Sequence, residues 1–183
     1  AKPLAITNCL NFGNPENKEI MGEFAECLEG VKEACNFLKY PVVSGNVSFY
    51  NGTNKKNIYP TPVIGGVGLI KKLSKPLSHN FKQANSTIIL IGKTFGHIEQ
   101  SCFLKENYSI TEGMPPEVNL LNEKNNGESL LKLIEKNLIL SAHDISNGGL
   151  ITALSEMTLT SDFGAKIYKP KKLTNFVKYF FGE

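Results

Sequence analysis

One polar cluster, around His143 and Asp144, combines residue types that could bind a metal ion and a phosphate. Asp144 follows an apolar run expected to be a strand, and Gly148-Gly149 opens the next expected helix. A carboxylate offers a hard oxygen ligand, and backbone N–H groups at a helix N-terminus attract anions. The pattern is typical of a corner that holds magnesium and phosphate. It equally fits a simpler interpretation, in which Asp144 or Ser146 caps the helix and His143 is a wall residue.

A second cluster interrupts a β-prone run with small and amide-bearing residues. Gly45 exposes its backbone amide, Asn46 carries a carboxamide oxygen, and Ser44 and Ser48 carry hydroxyls. These groups suit a nucleotide phosphate or a magnesium ion. An ordinary hairpin turn at Gly45-Asn46 is the commoner interpretation of this pattern.

The first part of the chain predicts a sheet with one long helix. Apolar residues recur at helical spacing from about Glu16 until Tyr40-Pro41, with Asn14 as the expected N-cap and Pro15 at the first helical position. We expect strands at residues 4–10, 41–43, 47–50 and 60–70, the first of them ending in an asparagine-rich turn.

The second part of the chain predicts alternating strands and helices. The expected strands are 87–91, 138–142 and 164–168, and the expected helices are 99–103, 127–136, one that follows Gly149, and 173–181. This alternation favours an α/β sandwich. A polar stretch from Lys71 to Lys82 has the composition of a domain junction, so we place a boundary near Ser74.

The composition excludes several classes of protein. With 183 residues, 41% hydrophobic and 20% charged, the chain is long enough to bury a core and is not a disordered tail. Its 20 basic residues are all lysine and its net charge is only +3. Specific nucleic-acid recognition usually needs arginine and a concentrated basic surface, so the sequence argues against a nucleic-acid partner.

The cysteines and the apolar runs indicate a cytoplasmic protein. Cys9, Cys27, Cys35 and Cys102 lack the spacing of a zinc site, so we interpret them as reduced packing residues. No apolar run is long enough to span a bilayer, and we expect no membrane partner. The chain begins with alanine and leads almost directly into a dense polar motif, which suggests a fragment.

Four segments, taken in order and spacing, strongly resemble one family, phosphoribosylformylglycinamidine synthase. They are residues 7–16 (TNCLNFGNPE), 41–51 (PVVSGNVSFYN), 60–65 (PTPVIG) and 142–150 (AHDISNGGL). The first two resemble the synthetase subunit of the smaller, multi-subunit form. The resemblance covers nearly the whole chain.

This resemblance implies an α/β (α+β) fold and a place within the second half of a longer enzyme. Residues 1–73 would be the later part of an AIR-synthetase-like N-terminal domain. Residues 74–183 would be an AIR-synthetase-like C-terminal α/β sandwich, truncated at its end. The other half of the same polypeptide, a glutaminase subunit and a small bridging subunit are the implied protein partners.

The activity implied by the resemblance is that of a carbon–nitrogen ligase in purine biosynthesis. The family uses ATP and Mg²⁺ to activate the amide oxygen of formylglycinamide ribonucleotide, and ammonia derived from glutamine then displaces phosphate. Phosphoryl transfer of this kind depends on positioning and electrostatics rather than on a protein nucleophile. The implied catalytic residues lie outside this chain, so we expect the chain alone to be inactive.

The resemblance also implies roles for individual residues. Asn8 and Gly45 would contact ATP, Asn46 would help to hold magnesium, and Ser48 would touch the substrate. Asp144 matches an acidic position that resembles a metal ligand of a second, structural nucleotide site.

Two alternatives remain open. The chain could be a non-catalytic structural half that holds a trapped nucleotide near Asp144 and supports assembly. It could instead belong to another ATP-dependent enzyme of the AIR synthetase superfamily, although no substrate motif of such an enzyme is present.

Overall fold

A computed structural model describes residues 1–70, 77–168, 173 and 175–183. The chain divides into two compact units, Ala1–Ser74 and Lys75–Glu183. The predicted boundary near Ser74 falls among residues 71–76, which lie outside the described residues.

The first unit is built on a three-stranded sheet whose central strand is β1 (Lys2–Asn11). Strand β2 (Val42–Ser48) pairs with β1 in parallel, and β5 (Thr61–Leu69) pairs with β1 antiparallel on its other side. In the segment that connects β2 to β5, two short strands, β3 (Gly52–Thr53) and β4 (Lys56–Asn57), pair with each other as a hairpin. The predicted strands 4–10 and 60–70 are confirmed, whereas the hairpin was not predicted.

Helix α1 (Lys18–Leu38) connects β1 to β2. Its N-cap is Asn17, whose side chain accepts a hydrogen bond from the Glu19 amide at 2.9 Å, so the predicted cap at Asn14 is wrong. Asn14 instead accepts from the Glu16 amide at 2.9 Å, which forms a tight turn ahead of the helix. The helix ends at Lys39, which adopts the left-handed conformation with a φ of 61°.

The core of the first unit forms where α1 covers the end of β1. Leu10, Phe12 and Ile20 are buried together, with Phe24 and Phe49 packed against them. The ring of Phe24 lies edge-on to those of Phe12 and Phe49, with centroids 5.1 Å apart in both pairs. These contacts fix α1 against β1, the strand that carries Asn8.

Residues 44–46 lie inside a continuous strand and not in a turn. Strand β2 runs through Ser44, Gly45 and Asn46 without interruption, so the hairpin-turn interpretation and the two separate strands 41–43 and 47–50 are wrong. The pairing with β1 supplies the hydrogen bonds that the local sequence could not reveal. A glycine that weakens a strand locally is tolerated where a neighbouring side chain needs its space.

The second unit contains four helices among its described residues: α2 (Cys102–Tyr108), α3 (Leu120–Glu135), α4 (Gly149–Leu159) and α5 (Phe176–Phe181). Helices α3, α4 and α5 were predicted with shifted ends, whereas the helix predicted at 99–103 overlaps α2 only at Cys102 and Phe103. Helices α4 and α5 pack together, and their buried residues include Ala153, Leu154 and Phe180. Gly149 makes this packing possible, because a Cβ there would lie within 3 Å of the backbone of residues 180–182.

The strands predicted at 87–91, 138–142 and 164–168 are not formed by the described residues of the second unit. Their apolar side chains are largely exposed: Ile89 is 68% exposed and Leu138 is 66% exposed. A buried strand needs hydrogen-bonded neighbours on its edges, and an apolar run alone does not supply them. The pattern predicted apolar segments correctly but not their pairing.

The buried ring of Phe12 generates a test of this core. We expect Phe12→Ala to lower the free energy of unfolding by about 3–5 kcal/mol, because it removes a fully buried ring and its contact with Phe24. Urea denaturation of the chain measures the change. Tyr59→Ala is the control, because Tyr59 is 89% exposed. A loss below about 1 kcal/mol for Phe12→Ala would contradict this description of the core.

Candidate functional site

The sheet of the first unit has two faces of different character. Ile6 and Leu10 are buried on the face covered by α1, which we call the helix face. The opposite face, which we call the open face, carries seven polar side chains: Thr7, Cys9, Asn11, Ser44, Asn46, Ser48 and Thr61. Side chains alternate along a strand and registered partners share a face, so this assignment follows from the pairing.

Asn8 and Gly45 are direct partners across β1 and β2. A Cβ at Gly45 would overlap the Oδ1 atom of Asn8 and would lie 2.6 Å from the Asn8 carbonyl oxygen. The Asn8 carboxamide therefore occupies the space that a side chain at position 45 would take. The structure brings together the two residues predicted to contact ATP, and it shows why position 45 needs glycine.

Asn46 and Ser48 lie on the open face of β2, two residues apart. Their partners on β1 are Cys9 and Asn11. Asn46 is exposed, and its carboxamide has no hydrogen-bond partner in the part of the chain that the structure describes. Strand β2 is at the edge of the described sheet, so half of its backbone groups are also available to a ligand.

Asn46, predicted to bind metal, and Ser48, predicted to contact the substrate, thus share one face, whereas Asn8 projects from the other. Gly45 has no side chain and presents its backbone to both. The open face carries hydroxyls, carboxamides and a thiol, and its described polar residues include no carboxylate. Such a face can donate and accept hydrogen bonds but adds no negative charge that would repel a phosphate.

In the second unit, His143 is held between two carboxylates. Its Nδ1 atom lies 3.2 Å from Asp144 Oδ1, and its Nε2 atom lies 3.0 Å from Glu156 Oε2 on α4. The ring of His79 lies beside it, with centroids 5.2 Å apart. The His143 side chain is 17% exposed and that of Asp144 is 82% exposed. This arrangement matches the interpretation of His143 as a wall residue.

The corner at the start of α4 is filled by the side chain of Glu183. Its Oε1 atom accepts hydrogen bonds from the Gly148 amide at 2.6 Å and from the Cys102 amide at 2.8 Å. The N-cap position of α4 is Gly148, with no side-chain cap, so the alternative in which Asp144 or Ser146 caps this helix is wrong. The amide expected to attract a phosphate already binds an anion.

The four cysteines are free and half-buried, as predicted. Burial raises the pKa of Cys27, and burial followed by the charge of Glu183 raises the pKa of Cys102. Both thiols stay protonated near neutral pH, which suits packing and not nucleophilic chemistry. Among the described residues, no group of three or more His, Cys, Asp or Glu side chains could hold a metal ion.

Sequence reasoning missed two residues that organise these regions, Asn51 and Glu183. The Asn51 carboxamide contacts both Ser48 and the backbone of Phe12. The Asn51-Gly52 dipeptide after β2 was the only local signal, and Gly52 begins strand β3. Glu183 has no local signal, because its partners lie far away in the sequence.

Comparisons with known proteins assign the chain to a family. The family described as "AIR synthase related protein, N-terminal domain" matches residues 1–70, and "AIR synthase related protein, C-terminal domain" matches residues 83–178. The chain therefore belongs to the AIR synthase related proteins, which confirms the predicted α/β class. In the described residues, no helix is long and apolar enough to cross a membrane.

Individual relatives support the predicted resemblance to phosphoribosylformylglycinamidine synthase. Subunit PurL of that enzyme from Pelagibacter ubique is 56% identical over all 183 residues, and the one from Bradyrhizobium diazoefficiens is 49% identical over 182. The chain spans 25% of the length of each. A solved Thermotoga maritima PurL complexed with ATP is 44% identical, covering 35% of this chain and 11% of that chain, with a TM-score of 0.32.

The surroundings of Asp144 generate a test by pH. A hydrogen bond to its own backbone, followed by one from the His143 side chain, lowers the pKa of Asp144. A carboxyl whose pKa is lower in the folded chain stabilises that chain above the ordinary aspartate pKa of about 3.9, and the contribution is lost as the pH falls through the lowered pKa. We expect Asp144→Asn to be less stable than the unsubstituted chain near neutral pH, and the difference to vanish in acid.

Thermal unfolding between roughly pH 2 and pH 7 measures this difference. The matched control is Asp162→Asn, which alters the other aspartate of the chain. A stability difference for Asp144→Asn that stays constant across this range would contradict the assignment.

Proposed function

We propose that the chain is part of the ATP-dependent ligase that converts formylglycinamide ribonucleotide and glutamine-derived ammonia to formylglycinamidine ribonucleotide. One observation carries the proposal: the β1–β2 pairing places Asn8 of β1 against Gly45 of β2, and Asn46 and Ser48 follow Gly45 along β2. The relatives named phosphoribosylformylglycinamidine synthase subunit PurL match over the whole chain and support the same function. The enzyme is then a carbon–nitrogen ligase of cytoplasmic purine biosynthesis.

In this proposal the chain supplies neutral polar contacts to ATP. Asn8 and the backbone of Gly45 hold the nucleotide, and the exposed edge of β2 offers further backbone N–H groups. Because the described polar side chains of the open face are neutral, the positive charges that balance the triphosphate would come largely from other parts of the longer enzyme.

The residues present fit a partial magnesium site. The Asn46 carboxamide has no hydrogen-bond partner among the described residues, so its oxygen is available as one hard, neutral ligand. A magnesium ion held at the same time by the phosphates could use such a ligand. Bound magnesium would neutralise charge on the transferred phosphoryl group. Asp144, exposed in the second unit, is proposed as a ligand of a separate metal ion.

Formylglycinamide ribonucleotide is the proposed substrate, and the Ser48 hydroxyl is its proposed contact. The proposed partners are the remaining part of the same polypeptide, a glutaminase subunit that supplies ammonia, and a small bridging subunit. The chain by itself lacks the catalytic groups and is proposed to be inactive.

Replacing Gly45 tests the nucleotide site. In the full-length synthetase, supplied with ammonia, we expect Gly45→Ala to raise the KM for ATP about tenfold or more, because the new Cβ displaces the Asn8 carboxamide. Steady-state kinetics measure the change. The control is Gly66→Ala in β5, where an added Cβ meets nothing within 4 Å. Equal KM values in the two variants would refute the assignment, and the isolated 183-residue chain serves as the inactive reference.

Replacing Asn46 tests the metal site separately. We expect Asn46→Ala to raise the magnesium concentration needed for half-maximal turnover about tenfold, because one oxygen ligand is lost. The assay is a magnesium titration at saturating ATP. Asn36→Ala, at an exposed position of α1, should leave the titration unchanged. An unaltered magnesium requirement in Asn46→Ala would remove Asn46 from the site.

A further inference from the structure

The turn after β2 is fixed by one side chain that no role above includes, the carboxamide of Asn51. Its Nδ2 atom lies 2.8 Å from the Ser48 carbonyl oxygen and 3.0 Å from the Phe12 carbonyl oxygen. Both partners can only accept hydrogen bonds, so the amino group must face them and the orientation of the carboxamide is determined. Asn51 thereby joins the ends of β1 and β2.

The anchored carboxamide also holds the hydroxyl of Ser48. The Ser48 hydroxyl donates to Asn51 Oδ1 at 3.3 Å, and its Oγ atom also lies 3.2 Å from Asn51 Nδ2, whose two N–H groups face the carbonyl oxygens of Ser48 and Phe12. These contacts select one rotamer of a serine that the proposed function places against the substrate. We infer that Asn51 is a positioning residue, which sets the Ser48 hydroxyl for substrate binding; this inference rests on the proposed function.

The backbone of the turn supports this role from both sides. The Asn51 amide donates to the Phe12 carbonyl oxygen at 3.2 Å, and the Tyr50 amide donates to the Gly13 carbonyl oxygen at 2.9 Å. Tyr50 adopts a left-handed conformation with a φ of 59°, which a tyrosine rarely takes unless its neighbours hold it. The carboxamide is therefore attached to a rigid frame.

A purely structural role for Asn51 would have a different consequence. A residue that only joined two strands would affect stability, and its effects on activity would combine multiplicatively with those of Ser48. A residue that acts through Ser48 loses its effect on substrate binding when the hydroxyl is absent. A double-mutant cycle separates the two roles.

The experiment compares four forms of the full-length synthetase, supplied with ammonia: unsubstituted, Ser48→Ala, Asn51→Ala and the double variant. We expect Asn51→Ala to raise the KM for formylglycinamide ribonucleotide roughly three- to tenfold, with kcat changed less than about twofold. The double variant should have the KM of Ser48→Ala alone. Asn17→Ala is the control, because it removes the N-cap of α1 in the same unit and should lower thermal stability without raising this KM.

Three results would overturn the inference. An unchanged KM in Asn51→Ala, with a raised KM in Ser48→Ala, refutes it while the proposed substrate contact stands. Multiplicative effects in the double variant show that Asn51 acts independently of Ser48. An unchanged KM in Ser48→Ala removes Ser48 from the substrate site, so the proposed contact and the inference fail together.

Discussion

The parallel pairing of β1 with β2 is the constraint on which the rest of the candidate site depends. It brings two segments that are far apart in sequence, residues 7–16 and residues 41–51, into direct register over their strand residues. The pairing is possible at Asn8 because Gly45 leaves room for the carboxamide. Any side chain at position 45 would force apart the two residues that the family resemblance assigns to the same nucleotide.

The same pairing connects the polar site to the apolar core. The end of β1 enters the core through Leu10 and Phe12, and the end of β2 enters it through Phe49, which packs on Phe24. The polar groups of the open face therefore lie on strands whose ends are held by rings packed in this core. In the proposed site, rigid support of this kind would reduce the entropy that Asn46 and Ser48 lose when a ligand binds.

In the second unit, a helix start that resembles an anion-binding site binds a carboxylate of the same chain. Gly148 and Gly149 do open a helix, as the sequence predicted, but the Gly148 amide binds the carboxylate of Glu183. That carboxylate also binds the Cys102 amide, so it ties the start of α2 to the start of α4. A helix N-terminus attracts any anion, and local sequence does not distinguish a phosphate ligand from the carboxylate of a distant glutamate.

The sequence by itself determined the elements whose signals are local. Apolar spacing located α1 and the strands β1 and β5, and the four ordered motifs identified the family. Only the tertiary structure decided that residues 44–46 form a strand, that Asn46 and Ser48 share a face opposite Asn8, and that Asn51 fixes Ser48. It also decided that the apolar runs of the second unit form no ladder among the described residues. The physical reason is common to all of these: side-chain spacing records which face of a segment is apolar, whereas strand pairing and hydrogen-bond partners depend on groups that only the folded chain brings together.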